Sequence, residues 1–120
     1  MKEIVIYLSL PAILTVIMEM PIIIIGLRKV KCNMQYKLTV FTLINIITNL
    51  ALNSIGLLLK VTLPVIIVEE IIIVLIEAFT YKKAFIIRLN TALIVSVTAN
   101  LLSGLIGSYL LSEVTLLWIK

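Results

Sequence analysis

Between Leu63 and Phe79 the chain reads LPVIIVEEIIIVLIEAF, an apolar run of bilayer-spanning length that carries glutamates at 69, 70 and 77. Few folds tolerate this combination. A carboxylate at mid-membrane depth costs at least about 2.5 kcal/mol on insertion scales, so each acid needs a partner, a proton, a cation or water.

The rest of the chain has the same character. Hydrophobic residues make up 62% of its 120 positions and charged residues 13%, about half the charge of an average soluble domain, and the mean hydropathy is +1.28. Apolar runs cover residues 4–27, 38–59, 63–81 and 89–111. Each is long enough to span a bilayer, and the remainder is too short for a separate soluble domain. The expected fold class is therefore an all-α membrane protein, a single domain over 1–120 with four transmembrane helices. The first run exceeds the apolar core of a secretory signal, and no small-x-small cleavage site follows it.

Short connections separate the runs. Residues 28–37 carry Arg28, Lys29, Lys31 and Lys37, and residues 82–88 carry Lys82, Lys83 and Arg88, so seven of the ten basic residues lie in two loops. By the positive-inside rule both loops face the cytoplasm and both termini face outside, as in a plasma or inner membrane. The net charge of +4 thus reads as topology, not as a nucleic-acid surface. Glu113, Trp118 and Lys120 form an outer interfacial tail with an aromatic anchor.

A shift of 51 residues aligns Glu19 with Glu70, Lys31 with Lys82, Asn49 with Asn100 and Gly56 with Gly107. These matches predict an internal repeat of 10–59 on 61–110. Each half is a helical hairpin inserted the same way, so the two are parallel repeats about an axis along the membrane normal.

Helical spacing gathers the polar residues into faces. Thr42, Asn45, Asn49, Asn53 and Gly56 form one stripe on the second helix, and Ala92, Ser96, Asn100, Ser103 and Gly107 another on the fourth. Ser96, Ser103, Gly56 and Gly107 read as helix-packing positions, because small side chains let backbones approach. Asn45, Asn49 and Asn100 offer amide oxygens to an acid or a cation. Glu70, Glu77 and Tyr81 share a face of the third helix, and Glu69 points about 100° away. Pro21 beside Glu19 predicts a kink or a freed carbonyl.

Glu19 and Glu70 are expected to face each other in the interior, since no lysine or arginine occurs within any of the four runs. Protonation, hydrogen bonding to the asparagines, and a bound cation are the three ways to accommodate them. Glu77 is expected near the cytoplasmic end, paired with Lys82, Lys83 or Arg88; with Glu69 and Tyr81 it forms a secondary set. The leading functional expectation is a transporter or permeation component for a proton, cation or cationic solute. A non-catalytic subunit or scaffold held together by its buried Glu and Asn residues is the alternative, and a lipid- or peptide-binding immunity-type protein is third. Four helices seldom enclose a pathway alone, so a homo-oligomer or a larger complex is expected.

Catalysis is not expected. The chain has no histidine or aspartate and a single cysteine, Cys32. A Ser-His pair, a zinc framework within one chain and a disulfide are thereby excluded. No phosphate-binding or dinucleotide fingerprint is present. No catalytic, metal or cofactor residues are assigned, and no nucleic-acid partner.

Overall fold

The computed structural model describes the backbone of residues 2–59 and 62–118 and, within these, all side chains but those of 2–4, 7, 8, 57 and 111–118. Four helices follow in order: α1 (Lys2–Gly26), α2 (Met34–Leu58), α3 (Leu63–Phe85) and α4 (Leu89–Trp118). The predicted anchor at Trp118 lies outside the described side chains. α1 runs through both Pro11 and Pro21 as one helix. Thr15 Oγ1 donates back to the Pro11 carbonyl at 2.9 Å.

The helix ends differ from the sequence expectation for local reasons. α2 begins at Met34, not near residue 38, because Asn33 caps it: the Asn33 side chain accepts from the Gln35 amide at 2.9 Å. Lys37 is therefore a helical residue, not a loop residue. It is buried, and its Nζ donates to the Leu27 carbonyl at 2.8 Å, satisfying a carbonyl at the end of α1. α3 opens with Pro64 in its first turn and continues past residue 81 to Phe85, where Lys82 and Lys83 complement the carbonyl end. It stops at Ile86, whose φ of 53° is left-handed.

Each helix packs on the helix next to it in sequence, and α1 also packs on α4, so the four close into a ring. Among the described residues neither diagonal pair makes a direct backbone contact. The connections at 27–33 and 86–88 lie together at one end, termed the basic end; the end of α2 at Leu58 and the start of α3 at Leu63 lie at the other. α1, α2 and α4 are long and apolar enough to cross a membrane. α3 matches them in length at 23 residues, but its three glutamates set it apart in composition.

Packing is uneven along the bundle. Toward the basic end Ile23, Leu27, Phe41, Ala78, Tyr81, Phe85, Ala92 and Val95 form a continuous apolar cluster. The Tyr81 and Phe85 rings stack at 5.8 Å, and Tyr36 meets Phe85 edge-on at 6.0 Å. α1 and α4 approach closely here: a Cβ on Gly26 would stand 2.8 Å from Val95 Cγ2. Toward the other end the interior loosens. No residue of α3 from Leu63 to Ile72 is buried.

Buried residues also align at a second shift. The buried residues Glu19 and Ile23 of α1 and Leu27 just after it recur on α3 as Glu77, Tyr81 and Phe85, 58 residues later, and Lys37, Phe41 and Asn45 of α2 recur on α4 as Val95, Ala99 and Ser103. The sequence matches ran at 51. A difference of seven residues is about two helical turns, which keeps the face and moves each side chain about 10 Å along the axis. The 51-residue shift also pairs buried residues, Phe41, Asn45 and Thr48 with Ala92, Ser96 and Ala99, so burial leaves both Glu70 and Glu77 as counterparts of Glu19.

Candidate functional site

Midway along the bundle the apolar interior gives way to polar groups from all four helices. Glu19 from α1, Asn45 from α2, Glu77 from α3 and Ser96 from α4 each have 0% exposure, as does Tyr81 one turn from Glu77. Asn100 and Ser103 are buried beside them. Glu19 and Glu77 come from the diagonal helices α1 and α3, and the side chain of each reaches α4.

α4 supplies the donors. Asn100 Nδ2 donates to Glu77 Oε2 at 2.6 Å, and Ser96 Oγ donates to the same oxygen at 3.0 Å. Ser103 Oγ donates to Glu19 Oε1 at 2.8 Å. These three residues sit on one face because their spacings of four and three follow the helical period. Each glutamate is thereby tied by one oxygen to α4, and its other oxygen is left over.

Glu19 Oε2, Glu77 Oε1, both polar atoms of the Asn45 amide and the Tyr81 hydroxyl are buried with no hydrogen-bond partner. They are neighbours. Glu19 and Glu77 lie within reach of each other's charge, Tyr81 within reach of both, and Asn45 stands beside Glu19 and Tyr81 without closing a hydrogen bond to either. An unsatisfied buried polar atom typically costs about 1–3 kcal/mol, so five together define a place built to receive something polar. Most of them are acceptors. A proton, a small cation or a donor-rich guest meets that demand, and an anion does not.

The remaining predicted residues are distributed around this centre. Glu70 shares the Glu77 face but lies about two turns toward the loose end, where it is exposed; it is within charge reach of Glu19 and Glu77 without packing on either. Glu69 is half-buried on the α2 side, its Oε1 unpartnered and 3.9 Å from where a Gly56 Cβ would stand. Asn49 Nδ2 donates to the Asn45 carbonyl at 2.9 Å, and Asn49 is half-buried. Gly107, expected at a packing position, has nothing within 4 Å of where a Cβ would stand and touches no neighbouring helix there.

Glu77 requires a correction. It makes hydrogen bonds to Ser96 and Asn100 where an ion pair with Lys82, Lys83 or Arg88 was expected, and it sits inside the bundle. The physical reason is the length of α3: with the helix continuing to Phe85, Glu77 stands about 12 Å from that end. Ser96 and Ser103, read from sequence as spacers, are the hydrogen-bond donors to the acids. Their spacing to Asn100 carried that signal, but nothing in one helix tells which acid faces it. Thr48 is a further buried hydroxyl, and it bonds back to the Ile44 carbonyl at 2.8 Å.

Among the described residues no group of three or more acidic, histidine or cysteine side chains is arranged to hold a metal ion. Comparison with known families, with curated proteins and with solved structures finds no match to this chain.

Proposed function

We propose that the chain is a bilayer-embedded transport or permeation component that handles a proton or small cation at the Glu19 and Glu77 centre. The observation that carries this reading is the pair of fully buried carboxyls from diagonal helices, each with one oxygen unpartnered and neither facing a lysine or arginine. Asn45, Asn100, Ser96, Ser103 and Tyr81 complete the lining. Carboxyl oxygens, amides and hydroxyls are suited to pass a proton or to replace part of a cation's hydration shell.

In this reading all four helices cross the membrane. α3 does so because the ring places it between α2 and α4, with its buried acid shielded by α4. The basic connections face the cytoplasm and both termini face outside, in a plasma or inner membrane, with the two hairpins related as parallel halves. Four helices seldom enclose a pathway alone, so this reading includes a second copy or a larger complex.

One observation favours a second reading. The bonds from Ser103 to Glu19 and from Asn100 and Ser96 to Glu77 tie α1 and α3 to α4, which is what a scaffold subunit needs of its polar residues. Reconstitution distinguishes the two. Proton flux is followed with a pH-sensitive dye, and monovalent cation flux with thallium, for wild type, Glu19→Gln and Glu77→Gln, with assembly checked by size-exclusion chromatography. Transport predicts flux in the wild type that is lost in both folded variants. Equal flux in all three refutes it, and variants that fail to assemble favour the scaffold.

A further inference from the structure

We infer that the buried centre is entered from one end only, through a mouth at the loose end of the bundle in which Glu70 receives an incoming cation. The inference rests on the reading of Glu19 and Glu77 as a cation or proton site, and adds the route to it.

The first observation is the contrast along α3. Glu70 and Glu77 are seven residues apart and point the same way to within about 20°. Glu77 is fully buried and Glu70 is exposed. A side chain that faces the interior and is still exposed lies where the interior is open. α4 repeats the contrast: Asn100 is buried, and Gly107, seven residues on and on the same line, faces open space. Two helices thus open at the same level, about 10 Å beyond the centre.

The second observation is the chemistry of that level. Glu69 Oε1 and Asn53 Nδ2 are both buried without a partner, and Glu69 is seated against Gly56 of α2. They flank Glu70 on the α2 side. Glu69 and Glu70 are the charged side chains described at this level, and Lys2 and Lys60 lie nearer the end, outside the described side chains. Low-dielectric walls around charges of one sign concentrate counter-ions.

The third observation is the closure at the opposite end. Phe41, Tyr81, Phe85, Leu27 and Val95 belong to one buried apolar cluster between the centre and the basic loops, with the Tyr81 hydroxyl on the side of the centre. Lys37, held by the Leu27 carbonyl, places a positive charge at that end. A cation meets an apolar plug there and a fixed like charge behind it.

Cysteine accessibility tests this. In a Cys32→Ser background, Gly107→Cys and the near-isosteric Ser96→Cys are treated with membrane-impermeant methanethiosulfonates, cationic or anionic, added to either face of the membrane. Gly107→Cys is expected to react from the face opposite the basic loops, the cationic reagent faster by about tenfold, with that preference lost on adding Glu70→Gln. Ser96→Cys is expected to react more slowly and from the same face. An unreactive Gly107→Cys, a charge preference that survives Glu70→Gln, or labelling of Ser96→Cys from the basic-loop face overturns the inference. Accessibility is read without transport, so the two claims fail separately: flux insensitive to Glu77→Gln sinks the site, and an unreactive mouth sinks the route.

Discussion

Replacing Glu77 by leucine removes the acceptor for two donors at once, and the structure sets the size of the effect. Asn100 Nδ2 loses its 2.6 Å bond and Ser96 Oγ its 3.0 Å bond. Neither is orphaned, because Asn100 Nδ2 still reaches the Ser96 carbonyl at 2.9 Å and Ser96 Oγ still reaches the Val74 carbonyl at 3.1 Å. The loss is that of two interhelical hydrogen bonds without the full cost of bare donors. With about 0.6 kcal/mol as the average for such bonds between membrane helices and about 1.7 as the upper end, Glu77→Leu should destabilise by about 1–3 kcal/mol. Glu77→Gln keeps an oxygen where Oε2 stands and should cost less than about 1 kcal/mol. Reversible unfolding in mixed detergent micelles measures both. A Glu77→Leu protein as stable as wild type, or a glutamine variant as damaged as the leucine one, would refute the assignment of Glu77 as an interior acceptor.

Three further substitutions probe the frame around the centre, each read by the same unfolding assay. Gly26→Ala forces a Cβ to within 2.8 Å of Val95 Cγ2; the β-branched neighbour has little room to yield, so a loss of about 1–3 kcal/mol is expected, relieved by adding Val95→Ala. Lys37→Met removes the charged donor to the Leu27 carbonyl and should cost about 1.5–3 kcal/mol, whereas a surface lysine would be neutral. Ile86→Gly should stabilise by about 1 kcal/mol, since a β-branched residue at φ 53° carries a penalty that glycine lacks.

The helices, their order and their polar faces were legible in the sequence because helical period and apolar length are local properties. Asn45, Asn100, Glu19 and the Glu70, Glu77 and Tyr81 line all emerged from spacing alone. Depth did not. A heptad shift preserves a face, so matching Glu19 to Glu70 satisfied the pattern as well as matching it to Glu77, and only the packing of α3 on α4 separates the two. The same ambiguity hid the roles of Ser96 and Ser103, whose partners lie 19 and 84 residues away. Lys37 was hidden by a cap: nothing in its own neighbourhood announces that Asn33 starts the helix four residues before it.

Glu19 and Glu77 both bond to α4, and a chemical crosslink can report how near each other they stand. In a Cys32→Ser background, Glu19→Cys is combined with Glu77→Cys or with Glu70→Cys, treated with a short bismaleimide and analysed by mass for links within one chain. The structure predicts an intrachain link for the 19 and 77 pair and little or none for 19 and 70. An efficient link between 19 and 70, with none between 19 and 77, would contradict it.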